Sequence, residues 1–139
     1  MKENGQELTR YLVPQQLVMS RAGGSKLVFS VRMLLESRPD FVNVKNDVRN
    51  AFNEIKRNCI VTALAEQPTL QHLAWHAAVV LAPNHGLESG GKRWGKSGRG
   101  TTQGDIEASA FFCVGWHKYL IQLDTKLRRV GGMAKAGAD

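Results

Sequence analysis

Acidic residues are outnumbered in this chain, 12 to 19 by Lys and Arg, and one of them closes an alternating run. In FVNVKND, residues 41 to 47, Phe41, Asn43, Lys45 and Asp47 point one way, and Val42, Val44 and Val48 the other. Asp47 ends the run, and Asn50-Ala51-Phe52-Asn53 follows. A carboxylate beside a backbone carbonyl at a strand end suits a hard divalent cation, which takes oxygen ligands. One carboxylate is not a site, because two-metal phosphoryl transfer needs at least two that converge. Taken alone, such an aspartate is more often solvated or capping, by about three to one on how commonly Asp is exposed.

A second stretch is GTTQGD, Gly100 to Asp105, ahead of a long helical pattern. Its Gln-Gly pair offers open backbone, an amide side chain and a helix N-terminus, an end that attracts phosphate. The plainer reading is a turn capped by Asp105. A third is the terminal Gly137-Ala138-Asp139. Residues 91 to 99, GKRWGKSGR, interleave Lys92, Arg93, Lys96 and Arg99 with Trp94. That mixture suits a contact that tracks a nucleic-acid backbone and stacks on bases; a flexible basic loop fits the composition equally well.

Other chemistry-bearing residues carry less. His72 and His76 are four apart, but a pair without a further ligand is a zinc site in roughly one case in ten, given the four ligands zinc demands. His85 and His117 read as surface or packing histidines. Cys59 and Cys113 read as core thiols, since no base is visibly paired with either. Trp75 and Trp116 fall on apolar helix faces and read as core. Lys126, Arg128 and Arg129 read as a solvated helix end, where cations favour the C-terminal dipole.

The elements that must hold these residues follow from spacing and breakers. A Gly23-Gly24 turn leads into a helix with Ser25 as its cap; Leu27, Val31, Leu34 and Leu35 share one face, and Pro39 stops it. The 41–47 run predicts a short strand. From Asn50 a turn enters a helix through Ile55, Cys59, Ile60 and Leu64, closed by Pro68. Thr69 caps a second helix reaching Leu81. Residues 84 to 102, with six glycines and four Lys or Arg, predict a loop or hairpin. The longest helix runs to Arg129, weakened by the interior Gly115 and ended by Gly131-Gly132. The tail MAKAGAD begins a strand. The order suggests α+β: helices packed on one face of a small antiparallel sheet.

At 139 residues the chain is one domain or part of one. A net charge of +7 and a pI near 9.8 favour anionic partners, nucleic acid before an acidic membrane surface. Two cysteines in apolar surroundings and a polar start without a signal core predict an intracellular protein, with the nucleus open as its compartment. No apolar run reaches the length of a membrane span. The Gly/Ala-rich ending reads as the lead-in to further chain.

Taken in order, D-x-x-N-A-F-N (Asp47 to Asn53), G-x-x-Q-G-D (Gly100 to Asp105) and G-A-D (Gly137 to Asp139) resemble the palm of reverse transcriptases of the non-LTR retroelement type. QQLVMSRAGGSKLVFSVR is similar to the fingers segment that precedes that palm. The resemblance covers residues 14 to 139 and implies a fingers-like segment at 1–40 and a partial polymerase palm at 41–139. It implies an RNA-directed DNA polymerase acting on an RNA template, a DNA primer and deoxynucleoside triphosphates with Mg²⁺. Asp47 and Asp139 would be the metal-binding catalytic carboxylates, and Val48 would lend its carbonyl to the second metal. Phe52 would lie beneath the nucleotide sugar and exclude a 2′-hydroxyl, while Gln103 and Gly104 would contact nucleotide and template. Asn46, Ile106 and Gly137 depart from the family pattern, which carries apolar, proline and aromatic residues there. A second reading is a catalytically inactive, basic nucleic-acid-binding remnant of a retroelement.

Overall fold

The computed structural model describes residues 2–82, 85–101 and 107–137. Six helices and one hairpin are found among them: α1 (Lys2–Leu12), α2 (Gly23–Ser37), α3 (Ala51–Glu54), α4 (Arg57–Glu66), α5 (His72–Val80), β1 (His85–Ser89), β2 (Lys92–Ser97) and α6 (Ala108–Arg128). The chain is mixed helix with a small two-stranded antiparallel sheet, as the α+β expectation requires at that coarse level. It packs as two compact units, Met1–Val48 with His117–Asp139, and Arg49–Trp116.

In the first unit, α1 has Leu8, Tyr11 and Leu12 at helical spacing, and Leu12 is buried. α2 turns Leu27, Val31, Leu34 and Leu35 inward and leaves Val28, Phe29 and Met33 exposed, so the expected face is the covered one. The helix begins before Ser25. Gly23 donates its amide to Ser20, and a Cβ at Gly23 would collide with the Leu17 carbonyl, so the tight turn sets the start. Ala22, at φ 56, precedes it with no side-chain cap. The helix ends at Ser37, just before Pro39.

The 41–47 run forms no strand among the described residues. Val42 and Val44 are 85% and 73% exposed. A strand exists only where a neighbour accepts its ladder bonds, and no described segment lies alongside to do so. The tail fares differently. Gly131, at φ 80, and Gly132 close α6, with Gly132 N–H donating to Leu127 O (2.9 Å) and Gly131 N–H to Arg128 O (3.2 Å), the paired bonds of a Schellman turn. Ala136 then makes a single parallel bridge with Gln16.

In the second unit the core is Ile60, Ala63 and Leu64 of α4, Leu70, Ala77 and Leu81 around α5, and Ala108, Phe111, Cys113 and Val114 of α6. Gly115 is where α6 comes close: a Cβ there would sit 2.8 Å from both Ile55 and Ile60. The glycine that weakens the helix intrinsically lets it pack. α5 starts at His72, not after Thr69, and Gln71 caps it without a side-chain bond. Trp75 departs from the core expectation and is 77% exposed. α5 has one covered face, the one marked by Ala77, and Trp75 lies off it.

Candidate nucleic-acid site

The first motif divides at its middle. Asp47 and Val48 lie in the exposed, unladdered segment of the first unit. Asn50 to Asn53 belong to the second. Asn50 adopts φ 53, a left-handed conformation that Asn tolerates better than most residues. Asn53 Nδ2 donates to Asn50 Oδ1 (2.7 Å) across the single turn of α3. Phe52 is half-buried, its ring 5.2 Å from that of Phe112, which stacks at 6.3 Å on Trp116.

The start of the second motif meets this turn. Gly100 N–H donates to Ile55 O (2.9 Å), and Thr101 N–H donates to Phe52 O (2.7 Å). Gly100 has φ 73, and a Cβ there would lie 2.5 Å from Asn53 Cα and 2.6 Å from its carbonyl oxygen. Conformation and space both demand glycine. Thr101 is buried, and its hydroxyl has no partner among the described residues. Gln103, Gly104 and Asp139 lie outside the described residues.

Arg57 organises the same region. Its Nε donates to Gly100 O (2.8 Å), its Nη1 to Ser97 O (2.8 Å) and more weakly to Leu81 O and Ala82 O (both 3.3 Å), and its Nη2 to Ser97 Oγ (2.8 Å) and Arg99 O (3.2 Å). The planar fork of a guanidinium can serve such a spread of acceptors, and an ammonium cannot. The base of the hairpin, the end of α5 and the Gly100 segment are thereby tied to one side chain. Sequence reasoning missed Arg57, because a cation opening a helix after Lys56 has no local mark of burial.

The hairpin itself turns at Gly90 and Gly91, with φ 58 and 73, the two left-handed residues of a type I′ turn. Leu87 pairs with Gly95 but Glu88 with Arg93, so Trp94 has no residue opposite it. Such a bulge breaks strict alternation and re-aims a side chain. Trp94 is 74% exposed, and its indole N–H donates to Ser89 O (3.2 Å). The Arg93 guanidinium lies over Gly86, where a Cβ would come within 3.2 Å of Nε. Lys92 and Arg99 are exposed, and Arg99 makes a long ion pair of 3.7 Å with Glu54. Of Lys96, the backbone alone is described, in β2.

A second polar cluster, in the first unit, was also missed. His117 and Gln16 are both buried, and the Gln16 amide donates to His117 Nδ1 (3.0 Å), with the Tyr11 ring 4.6 Å away. Burial pushes the His117 pKa below its ordinary value, and a backbone hydrogen bond at Tyr11 opposes this in part. Asp124 accepts from Ala134 N–H (2.9 Å), Arg128 Nε (2.8 Å) and Gln15 Nε2 (3.3 Å). Burial alone would raise its pKa; those three donors outweigh it and hold the carboxyl below the usual range. An Asp four before an Arg reads in sequence as a surface ion pair, which conceals this pinning role.

Cys59 and Cys113 form no disulfide, and burial pushes the Cys113 thiol up to about 11, which suits a core thiol. His76 hydrogen-bonds Glu107 at 2.9 Å, and among the described residues no three His, Cys, Asp or Glu side chains converge to hold a metal. No helix among them is long and apolar enough to cross a membrane. Comparison with protein-family models, with curated proteins and with solved structures returned no match.

Proposed function

We propose that this chain is the fingers-to-palm region of a reverse transcriptase of the non-LTR retroelement type, an RNA-directed DNA polymerase. One observation carries the reading: the Gly100–Thr101 backbone is hydrogen-bonded to Phe52 and Ile55, so two motifs far apart in sequence meet, as a shared nucleotide site requires. Phe52, braced by Phe112, supplies a fixed aromatic edge beneath the sugar of an incoming deoxynucleotide and excludes a 2′-hydroxyl. Gln103 and Gly104 contact nucleotide and template.

The donor chemistry fits a hard cation. Asp47 and Asp139 are carboxylates, Val48 offers a carbonyl, and the exposed Asp47 is open to an ion. Bound there, Mg²⁺ would neutralise charge on the phosphate oxygens during transfer. The test is primer extension on an RNA template with deoxynucleotides and Mg²⁺. Incorporation that falls to background in Asp47→Ala supports the reading; equal incorporation by that variant refutes it.

The exposed cations of the hairpin favour a second reading, a basic nucleic-acid-binding remnant without polymerase activity. Binding that persists in EDTA and weakens steeply with salt, beside no extension by the unaltered chain, would select it.

A further inference from the structure

We infer that the hairpin of residues 85–99 is a contact for single-stranded nucleic acid, with Trp94 as the platform for one base and Lys92, Arg93 and Arg99 as partners of the phosphates. The inference rests on the nucleic-acid-binding part of the proposed function but requires neither Asp47 nor a metal.

Three observations carry it. Trp94 is 74% exposed although its one polar group already has a partner, the Ser89 carbonyl. The bond restrains the indole and leaves its apolar π-surface to solvent. An exposed aromatic held in this way has lost part of its rotamer freedom before a ligand arrives, so stacking costs less entropy. The bulge at Trp94 removes the cross-strand neighbour that would otherwise cover it. The charge is one-sided: Lys92, Arg93, Lys96 and Arg99 against Glu88 alone in residues 85–99. Such an excess selects a polyanion.

The hairpin is also anchored. Arg57 holds the Ser97, Arg99 and Gly100 carbonyls at its base, so a strand bound at the tip pulls against a fixed support. A single strand fits better than a duplex because its bases are free to leave their neighbours and stack on an indole. Duplex bases are already stacked.

The experiment uses the 139-residue chain in EDTA with a fluorescein-labelled oligothymidine of about 20 nucleotides, long enough for one to several site sizes. A duplex of equal length serves as comparison, and salt is varied. The single strand should bind more tightly than the duplex and quench indole fluorescence. Trp94→Ala should weaken single-strand binding about fivefold or more, the low end for one base–aromatic stack, and Trp94→Phe should retain most of it. Joint Lys92→Ala and Arg93→Ala should reduce the salt slope by about 1.4, two phosphates on a single strand. Unchanged circular dichroism shows that each variant is folded. Equal binding of duplex and single strand, or a folded Trp94→Ala with unaltered affinity, overturns the inference and leaves the polymerase reading standing. Binding to neither nucleic acid overturns both.

Discussion

Asp47 and Val48 stand in an exposed segment with no ladder bonds among the described residues, whereas Phe52 and Ile55, only a few positions on, accept backbone bonds from Thr101 and Gly100. Both stretches carry residues suited to their expected roles. They differ in whether another piece of chain meets them. The Asn50–Asn53 turn has a glycine with room to approach and a guanidinium that collects the surrounding carbonyls. The valines at 42 and 44 alternate as a strand should, yet no described segment offers them a ladder. Side-chain pattern proposes an element, and backbone partners decide whether it forms.

That contrast can be broken from the packed side first. Gly100→Ala forces a Cβ against Asn53 in a left-handed conformation and should cost about 3 kcal/mol or more in chemical denaturation. Arg57→Ala removes charge-assisted bonds to several carbonyls and should cost about 2–3 kcal/mol, with Arg57→Lys recovering less than half.

A smaller effect depends on pH. His117 has a lowered folded pKa, so the folded protein resists a proton that the unfolded chain accepts. Above the ordinary value of 6.5 the group contributes nothing. As pH falls below it stability should decline, until the folded form protonates as well. His117→Gln should flatten that decline in denaturation midpoints measured between neutral and mildly acid pH. Asp124 acts lower: its donors stabilise the fold above the ordinary 3.8, and that contribution is lost as pH drops through the depressed folded value. Smallest of all, Val44→Thr should shift stability by no more than about 0.5 kcal/mol, as at an exposed site without partners. A larger loss would mean that the 41–48 segment is covered in solution.

What was legible in the sequence is what local spacing controls. The covered face of α2, the loop-or-hairpin reading of the glycine-rich stretch and the Gly131-Gly132 stop each depend on residues within a turn or two of one another. α1 carried the same kind of signal in Leu8, Tyr11 and Leu12, though the polar opening hid it. Features set by distant chain were not legible. The missing strand at 41–47, the exposure of Trp75, the carbonyl hub at Arg57 and the buried His117 and Asp124 all depend on what packs from elsewhere. For the candidate site, spacing alone marked Asp47 and the basic hairpin as possibilities. Only the resemblance linked Phe52 to the Gly100 motif, and nothing local announced the backbone bonds between them.

The most direct measurement of the central claim is the choice between deoxythymidine and uridine triphosphates during Mg²⁺-dependent primer extension, made by the unaltered chain and by Phe52→Ala. The unaltered chain should incorporate the deoxynucleotide preferentially, and Phe52→Ala, still folded by circular dichroism, should lose that preference because the aromatic edge beneath the sugar is gone. An unaltered preference in Phe52→Ala, or no incorporation by the unaltered chain, would contradict that claim.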